Sequence, residues 1–408
     1  MKAIQFHYSL PRYILSKLMG PLYPPAYYGP LSLLRYREVP EPSLPGPDWV
    51  RIRVRLAGVC GSDLHLIRLE DSPSTSPFAS FPFIPGHENL GIVAAVGSAV
   101  KGLHPGQRVV VDPLLPCIAR GIEEPCAQCQ RGEYSLCANF ARGLLSPGLE
   151  IGCCRDTGGG WSACFSAHSS QVFPVPPEVS DENAVLVDTL CSALHPVIRN
   201  LPLPHHTVLI VGGGAIGLSV IASLRALESK AYLIALVKYP YQAELARHYG
   251  ADQVVRSGRG RDHYAEIARA VGGTLYRPVL GKRVMVGGAD LVFECVGSED
   301  SIDDALRFTA PGGTMVLVGL AAIPHRIDWT PIWLKELTVK GSFACSTEQY
   351  QGQPIRTYQL ALDLLRQGKV DLSPLLTHRF PLAEYRKAFA VLFHKGKHRA
   401  VKVAFSFD

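Results

Sequence analysis

A glycine-rich turn between an apolar strand and a helix limits the middle of this chain to one class of fold. The run TVLIV at residues 207–211 is typical of a central parallel strand that is buried on both faces. Gly212, Gly214 and Gly217 follow it as G-x-G-x-x-G and begin a segment with apolar residues at helical spacing. The run AYLIALV at 231–237 indicates the next strand. Alternating strands and helices predict an α/β fold with a doubly wound parallel sheet.

The spacing of the glycines predicts that this turn binds a dinucleotide. The alternative is a glycine-rich connection that only allows tight packing. Gly212 permits the tight turn, Gly214 lets a pyrophosphate approach the backbone, and Gly217 lets the helix pack closely against the strand. The helix N-terminus adds free N–H groups and a favourable dipole for the phosphates. The predicted cofactor-binding residues are Gly212, Gly213, Gly214, Ala215, Ile216, Gly217, Val237, Lys238 and Tyr239.

The end of the second strand bears on which dinucleotide binds. An NAD site usually has Asp or Glu here for the ribose hydroxyls, but this chain has Val237, Lys238 and Tyr239. A carboxylate would repel a 2′-phosphate, so its absence, with Lys238 adjacent, favours NADP over NAD as the cofactor. The alternative is that Lys238 is only a solvated surface lysine.

Residue patterns divide the chain into three segments. The run WVRIRVRL at 49–56 alternates apolar and arginine residues, and most of residues 1–180 has the punctuation of a β-rich domain with long loops. Residues 181–346 form the predicted nucleotide-binding domain. Residues 347–408 contain a helical pattern and a terminal strand that the sequence pattern alone assigns to neither domain.

Composition excludes several classes of partner. The net charge of +6 is mild and the basic stretches lack interleaved aromatics, so no nucleic-acid partner is expected. The most apolar stretch, residues 208–222, is shorter than a membrane-spanning helix and contains three consecutive glycines. The first residues show no secretion signal, which predicts a cytoplasmic location with no membrane partner.

Four of the eleven cysteines lie close together in the sequence: Cys117, Cys126, Cys129 and Cys137, here called the cysteine quartet. Without an export signal, clustered thiols bind metal or do redox chemistry more often than they form disulfides. Four thiolates are the donor set of a closed structural zinc site. A redox pair at Cys126 and Cys129, or four unligated thiols, are the alternatives.

A second group of candidate metal ligands is spread along the chain. Cys60 and His87 are sulfur and nitrogen donors, and Glu88 and Asp188 offer oxygen. Few protein ligands together with water are the arrangement of a catalytic zinc site. Each of these residues alone would more often have a structural role.

Taken in order, GVCGSDLH, PGHENLGIVAAVG, GQRVVVDP, the cysteine quartet and VLIVGGGAIGL resemble the zinc-dependent medium-chain dehydrogenase/reductase superfamily, closest to its polyol and threonine dehydrogenase branch. The resemblance covers the whole chain. It implies a GroES-like β-rich catalytic domain that is interrupted by a Rossmann nucleotide-binding domain and completed by the C-terminal segment 347–408.

The resemblance also implies which residues hold metal. Cys60 and His87 would ligate a catalytic zinc, with Glu88 as a direct or alternating ligand. Asp188 falls where the family places its third ligand, and Cys191 is the alternative. The cysteine quartet would hold a structural zinc, which makes two zinc ions per chain.

The resemblance assigns proton transfer to the segment after Cys60. Asp63 would orient the ring of His87, Ser62 would hydrogen-bond the substrate oxygen, and His65 would pass its proton to solvent. The implied activity is that of a zinc-dependent, NAD(P)-dependent alcohol dehydrogenase that acts on an alcohol/carbonyl pair as a homodimer or homotetramer. The alternatives are a zinc-free enone or quinone reductase of the same fold, and a zinc-ribbon binding module fused to a nucleotide sensor.

Three departures from the family pattern leave the substrate undetermined. Eight residues, rather than two, precede the second cysteine of the quartet. Residues 273–288 look like an insertion in the nucleotide domain. Residues 10–35 and 70–80 lengthen the catalytic domain near the expected substrate entrance.

Overall fold

The computed structural model describes residues 1–407, which divide into two units, each with its own main sheet and apolar core. Unit 1 comprises Met1–Asp188, Cys345–Thr347 and the residues from Pro354 onward. Unit 2 comprises Thr189–Ala344 and Glu348–Gln353.

The strands are β1 (Lys2–Phe6), β2 (Leu34–Glu38), β3 (Trp49–Gly58), β4 (Asn89–Val96), β5 (Arg108–Val111), β6 (Cys164–His168), β7 (Val172–Pro174), β8 (Thr207–Val211), β9 (Tyr232–Val237), β10 (Gln253–Arg256), β11 (Thr274–Tyr276), β12 (Val284–Val286), β13 (Ala289–Glu294), β14 (Thr309–Leu317), β15 (Thr338–Gly341), β16 (Thr347–Tyr350), β17 (Gln353–Arg356), β18 (Leu376–Pro381) and β19 (Lys402–Ser406). The α-helices are α1 (Leu10–Met19), α2 (Gly61–Arg68), α3 (Ala127–Gln130), α4 (Asp181–Ala184), α5 (Val187–Arg199), α6 (Ala215–Ala226), α7 (Pro240–His248), α8 (His263–Ala270), α9 (Glu299–Phe308), α10 (Thr330–Leu334), α11 (Thr357–Arg366), α12 (Tyr385–Phe393) and α13 (Lys395–His398). Short 3-10 helices lie at Pro24–Tyr27, Pro73–Phe78, Tyr134–Leu136, Ser169–Gln171, Ser373–Leu375 and Leu382–Glu384.

Unit 1 is built on a seven-stranded sheet in the order β18-β19-β3-β4-β5-β7, with β6 also paired to β3. The alternation predicted for β3 is present, since Val50, Ile52 and Val54 are buried while Arg53 and Arg55 are exposed. Strand β19 lies antiparallel to β3, with Ala404 opposite Gly58. The C-terminal segment therefore supplies two strands to this sheet.

Unit 2 is built on a six-stranded sheet in the order β10-β9-β8-β13-β14-β15, and every pair in it is parallel. The predicted doubly wound sheet is confirmed. Strand β8 occupies Thr207–Val211, and α6 begins directly after the glycine-rich turn. Within residues 1–407, none of the helices combines the length and the apolarity that a bilayer-spanning segment requires.

The suspected insertion at 273–288 forms an antiparallel hairpin of β11 and β12. Charged side chains attach its second arm to neighbouring helices: Lys282 Nζ lies 2.8 Å from Asp304 Oδ1, and Arg283 pairs with Asp262. The hairpin is therefore joined to the residues of α9 and to the N-cap of α8 by ion pairs.

Candidate metal and cofactor sites

Cys60, His87 and Glu88 are brought together by two neighbouring strands of unit 1. Cys60 is the N-cap of α2, just after β3, while His87 and Glu88 directly precede β4. Because β3 and β4 are antiparallel, with Ala57 opposite Asn89, the end of one strand meets the start of the other. One ligand atom from each of the three side chains lies within 4.8 Å of the other two. Thiolate, imidazole and carboxylate are donors that zinc accepts, so this set fits a zinc ion.

Glu88 is buried beside a lysine from the far end of the chain. Gly58 leaves room for its carboxylate, since a Cβ at Gly58 would lie 2.1 Å from Glu88 Oε2. Lys402 Nζ donates a hydrogen bond to Glu88 Oε1 at 2.5 Å. Burial works against the charged form of Lys402, but the negative charges of Glu88 and Cys60 raise its pKa above the ordinary value.

Two carboxylates approach the same nitrogen of His87. Nδ1 lies 3.8 Å from Asp63 Oδ1 and 3.4 Å from Glu150 Oε1. Asp63 also accepts a hydrogen bond from the Cys60 amide at 2.9 Å, which ties the carboxylate to the start of α2. Burial disfavours the charged imidazole, but Glu150 and Asp63 raise the pKa of His87 well above its usual value.

Asp188 lies outside the group that Cys60, His87 and Glu88 form within residues 1–407. Its Oδ1 accepts a hydrogen bond from the Tyr358 hydroxyl at 2.6 Å. Burial raises the pKa of Asp188 to about 7. Cys191, the alternative ligand, is fully buried on α5 and is also outside the group.

Ser62 and His65 lie on α2, the helix that Cys60 caps. Both side chains are partly exposed. The Nδ1 atom of His65 is buried and makes no hydrogen bond within the described residues, and the nearest carboxylate is that of Glu70 at 3.9 Å. Burial lowers the pKa of His65.

Sequence reasoning missed Glu150 and Lys402. Glu150 is held by tertiary contacts, since Leu115 N–H donates to Leu149 O and Ile151 N–H donates to Pro113 O. The only feature of the sequence that could have indicated these residues is a single charge among apolar neighbours. Glu150 lies in LEI and Lys402 lies in AVKVAF. A charge in such a setting is rarely fully buried without a partner.

The cysteine quartet forms the second group of candidate ligands in unit 1, with all four sulfur atoms within 4.8 Å of one another. Cys117 Sγ and Cys137 Sγ are 3.6 Å apart. Four sulfurs around a tetrahedral zinc at 2.3 Å would be separated by about 3.8 Å, whereas a disulfide bond measures about 2.05 Å. The spacing therefore fits a shared metal ion.

N–H groups surround the sulfur atoms of the quartet. Cys117 Sγ accepts hydrogen bonds from the Cys126 amide at 3.4 Å and from Asn139 Nδ2 at 3.2 Å. Burial opposes ionisation of Cys126, but hydrogen bonds from the amides of Ala138 and Cys129 lower its pKa to about 6, whereas burial raises the pKa of Cys129 and of Cys137. A thiolate is the form that binds metal.

Arg120 explains why the first two cysteines of the quartet are so far apart. Its side chain is completely buried within the stretch between them. Its guanidinium donates to five carbonyl oxygens, those of Leu115, Arg142, Leu145, Ser146 and Gly148. All five N–H donors of arginine are thereby used. The extra residues thus carry a side chain that holds the loop leading to Glu150.

The glycine-rich turn of unit 2 packs tightly at one glycine and is open at another. A Cβ at Gly217 would lie 1.9 Å from the Gly212 carbonyl oxygen, so this position has to be glycine for α6 to pack. A Cβ at Gly214 would meet nothing within 4 Å. Gly214 is the N-cap of α6 and is exposed, so the space beside it is open to a ligand at the helix N-terminus.

Strand β9 ends at Val237, and Lys238 and Tyr239 lead into α7. Lys238 is exposed, and its Nζ lies 5.7 Å from the centre of the Tyr239 ring. Tyr239 stacks on Tyr241 with a centroid distance of 5.5 Å. The amides of Lys238 and Tyr239 both donate to Gln242 Oε1 at 3.1 Å, which fixes the start of α7.

Two family models match the chain. Residues 46–177 match the alcohol dehydrogenase GroES-like domain. Residues 215–364 match the zinc-binding dehydrogenase domain. The first match contains Cys60, His87, Glu88 and the cysteine quartet.

Proteins of known name match over almost the whole length. L-idonate 5-dehydrogenase of Vitis vinifera is 32% identical over 92% of each chain. L-threonine 3-dehydrogenase of Rhizobium etli is 29% identical, over 87% of this chain and 90% of the relative. A putative zinc-binding dehydrogenase of Sinorhizobium meliloti, solved with NADP, is 27% identical over 92% of this chain and 95% of the solved chain, with a TM-score of 0.69. The chain therefore belongs to the zinc-dependent medium-chain dehydrogenase/reductase superfamily, in its polyol and threonine dehydrogenase branch, and is an oxidoreductase.

Proposed function

We propose that this enzyme transfers a hydride between a nicotinamide cofactor, NADP in preference to NAD, and a secondary or primary alcohol. The observation that carries the proposal is the close group of Cys60, His87 and Glu88 at the start of α2. These residues would hold a catalytic zinc ion, whose chemistry there is that of a Lewis acid on the substrate oxygen. The hydride chemistry belongs to the cofactor.

Ser62 and His65 would move the proton of the substrate hydroxyl. They are three positions apart on α2 and so lie on one side of the helix. Ser62 Oγ would accept the substrate proton and pass its own hydroxyl proton to His65. His65 would then release a proton to solvent. Burial, Arg68 and Lys395 lower the pKa of His65, although Glu70 opposes them. The lowered pKa keeps the ring neutral and able to accept a proton.

Two further carboxylates would complete the catalytic site. Asp63 would orient His87, as its distance of 3.8 Å from Nδ1 allows. Asp188 would supply the further oxygen ligand at the position that the family resemblance implies. The hydrogen bond from Tyr358 engages Asp188 Oδ1, so Oδ2 would be the ligand atom.

The cysteine quartet would hold a second, structural zinc ion, giving two per chain. Its four sulfur atoms leave no place for a substrate in a tetrahedral site. All eleven cysteines of the chain are free thiols in the structure. This supports the predicted cytoplasmic location, where thiols stay reduced.

The preference for NADP is supported by the residues at the end of β9. Val237 is followed by the exposed cation Lys238, and neither Val237, Lys238 nor Tyr239 is a carboxylate that would repel a 2′-phosphate. The pyrophosphate would lie at the open space beside Gly214. The relatives' names support a small polyol or hydroxy acid with a secondary alcohol as the substrate.

We propose that two copies of the chain pair through β15, with a tetramer as the alternative. In the described sheet, β15 has a neighbour on one side only, and all four of its residues are exposed. Exposed apolar side chains surround it, among them Trp333 and Phe343. An open strand edge with exposed apolar residues nearby in the sequence is a ready site for pairing with a second copy. The mass in sedimentation equilibrium tests this.

The activity is tested by removing and restoring zinc. The purified enzyme is assayed with NADP and NAD on a panel of L-idonate, sorbitol, L-threonine and simple secondary alcohols. We expect turnover of at least one of them, its loss after treatment with a chelator, and its return with added zinc. Full turnover by enzyme with no bound metal would show that the zinc assignment is wrong.

A further inference from the structure

Strand β10 pairs with β9 and ends beside Val237, where the ribose of the cofactor is expected. Arg256, the last residue of β10, is opposite Val237 in the register of the two strands. The amide of Ser257 donates to the Val237 carbonyl at 2.9 Å, which continues the pairing one residue further. Because the strands are parallel, their carboxyl ends meet at the edge where dinucleotides bind.

Arg256 leaves the sheet on the same side as the glycine-rich turn. The side chain of Val237 lies against the turn, since a Cβ at Gly213 would be 2.7 Å from Val237 Cγ1. Residues opposite each other in neighbouring strands project from the same face of a sheet. The side chain of Arg256 therefore projects from the face of the sheet on which the cofactor would lie.

The guanidinium of Arg256 has no partner within residues 1–407. Its Nε is buried and makes no hydrogen bond. The acids nearest to Arg256 in the sequence pair with other arginines: Asp252 Oδ2 is 2.6 Å from Arg225 Nη2, and Asp262 pairs with Arg283. A buried donor left without a partner destabilises the protein. Its presence at this edge of the sheet indicates that a ligand satisfies it.

We infer that Arg256 and Lys238 form the site for the 2′-phosphate of NADP, so that Arg256 is a residue that determines cofactor specificity. Arginine binds phosphate with two parallel N–H groups, and lysine adds a point charge. Two further arginines of the same loop, Arg259 and Arg261, are exposed. The inference rests on the proposed preference for NADP.

The test uses cofactor fragments, so that it is independent of catalysis. The zinc-loaded full-length enzyme is titrated calorimetrically with adenosine 2′,5′-bisphosphate and with 5′-AMP. Wild type is compared with Arg256→Gln and with Arg269→Gln, which removes the same charge from an exposed position on α8. We expect Arg256→Gln to weaken binding of the bisphosphate by about 10- to 100-fold and of 5′-AMP by less than about twofold. Arg269→Gln is expected to change both by less than about twofold.

Three other outcomes would contradict either the role of Arg256 or the proposed preference for NADP. If wild type prefers the bisphosphate and Arg256→Gln keeps that preference, the inference is wrong and the proposed NADP preference stands. If wild type binds both fragments equally, the NADP preference itself is wrong. An equal loss of both fragments in Arg256→Gln would show that Arg256 contacts the adenosine and does not read the phosphate. Arg256→Lys, which keeps the charge, should retain an intermediate preference, and unfolding curves confirm that the variants fold.

Discussion

Lys402 donates to Glu88 across a sequence separation of 314 residues, and both side chains are almost completely buried. The pairing of β19 with β3 makes this contact possible, because Val59 N–H donates to Val403 O next to Lys402. Gly58 N–H in turn donates to Glu88 O. The last strand of the chain thus supplies the cation that neutralises a candidate metal ligand.

Replacing Lys402 by methionine should destabilise unit 1 strongly. In the zinc-free protein the Glu88 carboxylate would be left buried without its cation, which costs about 3–5 kcal/mol in comparable pairs. Lys402→Arg keeps the charge and should lose less. The free energy of unfolding is measured in urea, with Lys387→Met, whose pair with Glu384 is exposed, as the control expected to change by under about 1 kcal/mol. Equal stabilities of Lys402→Met and wild type would mean that the pair has no net effect.

Sequence patterns correctly predicted those helices and strands that are determined by residues close together in the sequence. The apolar run of β8, the glycine spacing after it and the alternation in β3 each reflect a constraint within a few residues. The cysteine quartet was also visible, because three of its members fall within one short loop. Strand β10 has four residues, too short for a periodic signal, and was not predicted.

The roles of three charged residues could not be predicted, because they depend on contacts between segments that are distant in the sequence. Arg120 looks like an ordinary loop arginine until the loop at 142–148 folds around it. Glu150 reaches His87 only because its loop packs against the residues after β5. Arg256 becomes informative only when the register of β10 with β9 is known.

Cys60→Ala should remove one of the two proposed zinc ions and almost all turnover. A Lewis acid on the substrate oxygen supplies several kcal/mol, so turnover should fall by at least about 10³-fold. Binding of NADPH should persist, because the glycine-rich turn belongs to unit 2. Metal analysis and cofactor fluorescence measure these effects. Cys191→Ala is the matched control, and loss of zinc from it instead would identify Cys191 as the ligand.

Cys129→Ser should remove the other zinc ion and lower stability. Structural zinc contributes folding free energy, so the melting temperature should drop by many degrees. The buried Cys164 lies in β6 away from the quartet, and Cys164→Ser serves as the control for the loss of a buried thiol. An unchanged metal content in Cys129→Ser would refute the structural zinc site.

Glu150→Gln should weaken zinc binding at the catalytic site and leave the quartet intact. The carboxylate lies closer to His87 Nδ1 than Asp63 does, and partners of a ligating histidine typically contribute 10- to 100-fold in metal affinity. Competition with a chromophoric chelator measures the affinity. The exposed Glu124 provides the control Glu124→Gln. If Glu150→Gln and wild type bind zinc with the same affinity, Glu150 does not position His87 for the metal.

Gly214→Ala should block the cofactor without harming the fold. The new Cβ meets nothing within 4 Å in the protein, and the backbone at Gly214, with φ −79° and ψ −176°, suits alanine. The methyl group would occupy the space where the pyrophosphate should approach the turn. We expect the melting temperature to stay within a few degrees of wild type while the Kd for NADPH, measured by fluorescence, rises by at least about tenfold.

Gly217→Ala, one turn further along α6, should lower the stability of the unbound protein. Its Cβ would lie 1.9 Å from the Gly212 carbonyl oxygen, so the turn or the helix has to move, at a cost of about 1–3 kcal/mol in stability. The comparison separates the two tasks of the motif, because one glycine makes room for a ligand and the other makes room for the protein itself. Tight NADPH binding by Gly214→Ala would place the pyrophosphate away from this turn and remove the main support for the cofactor site.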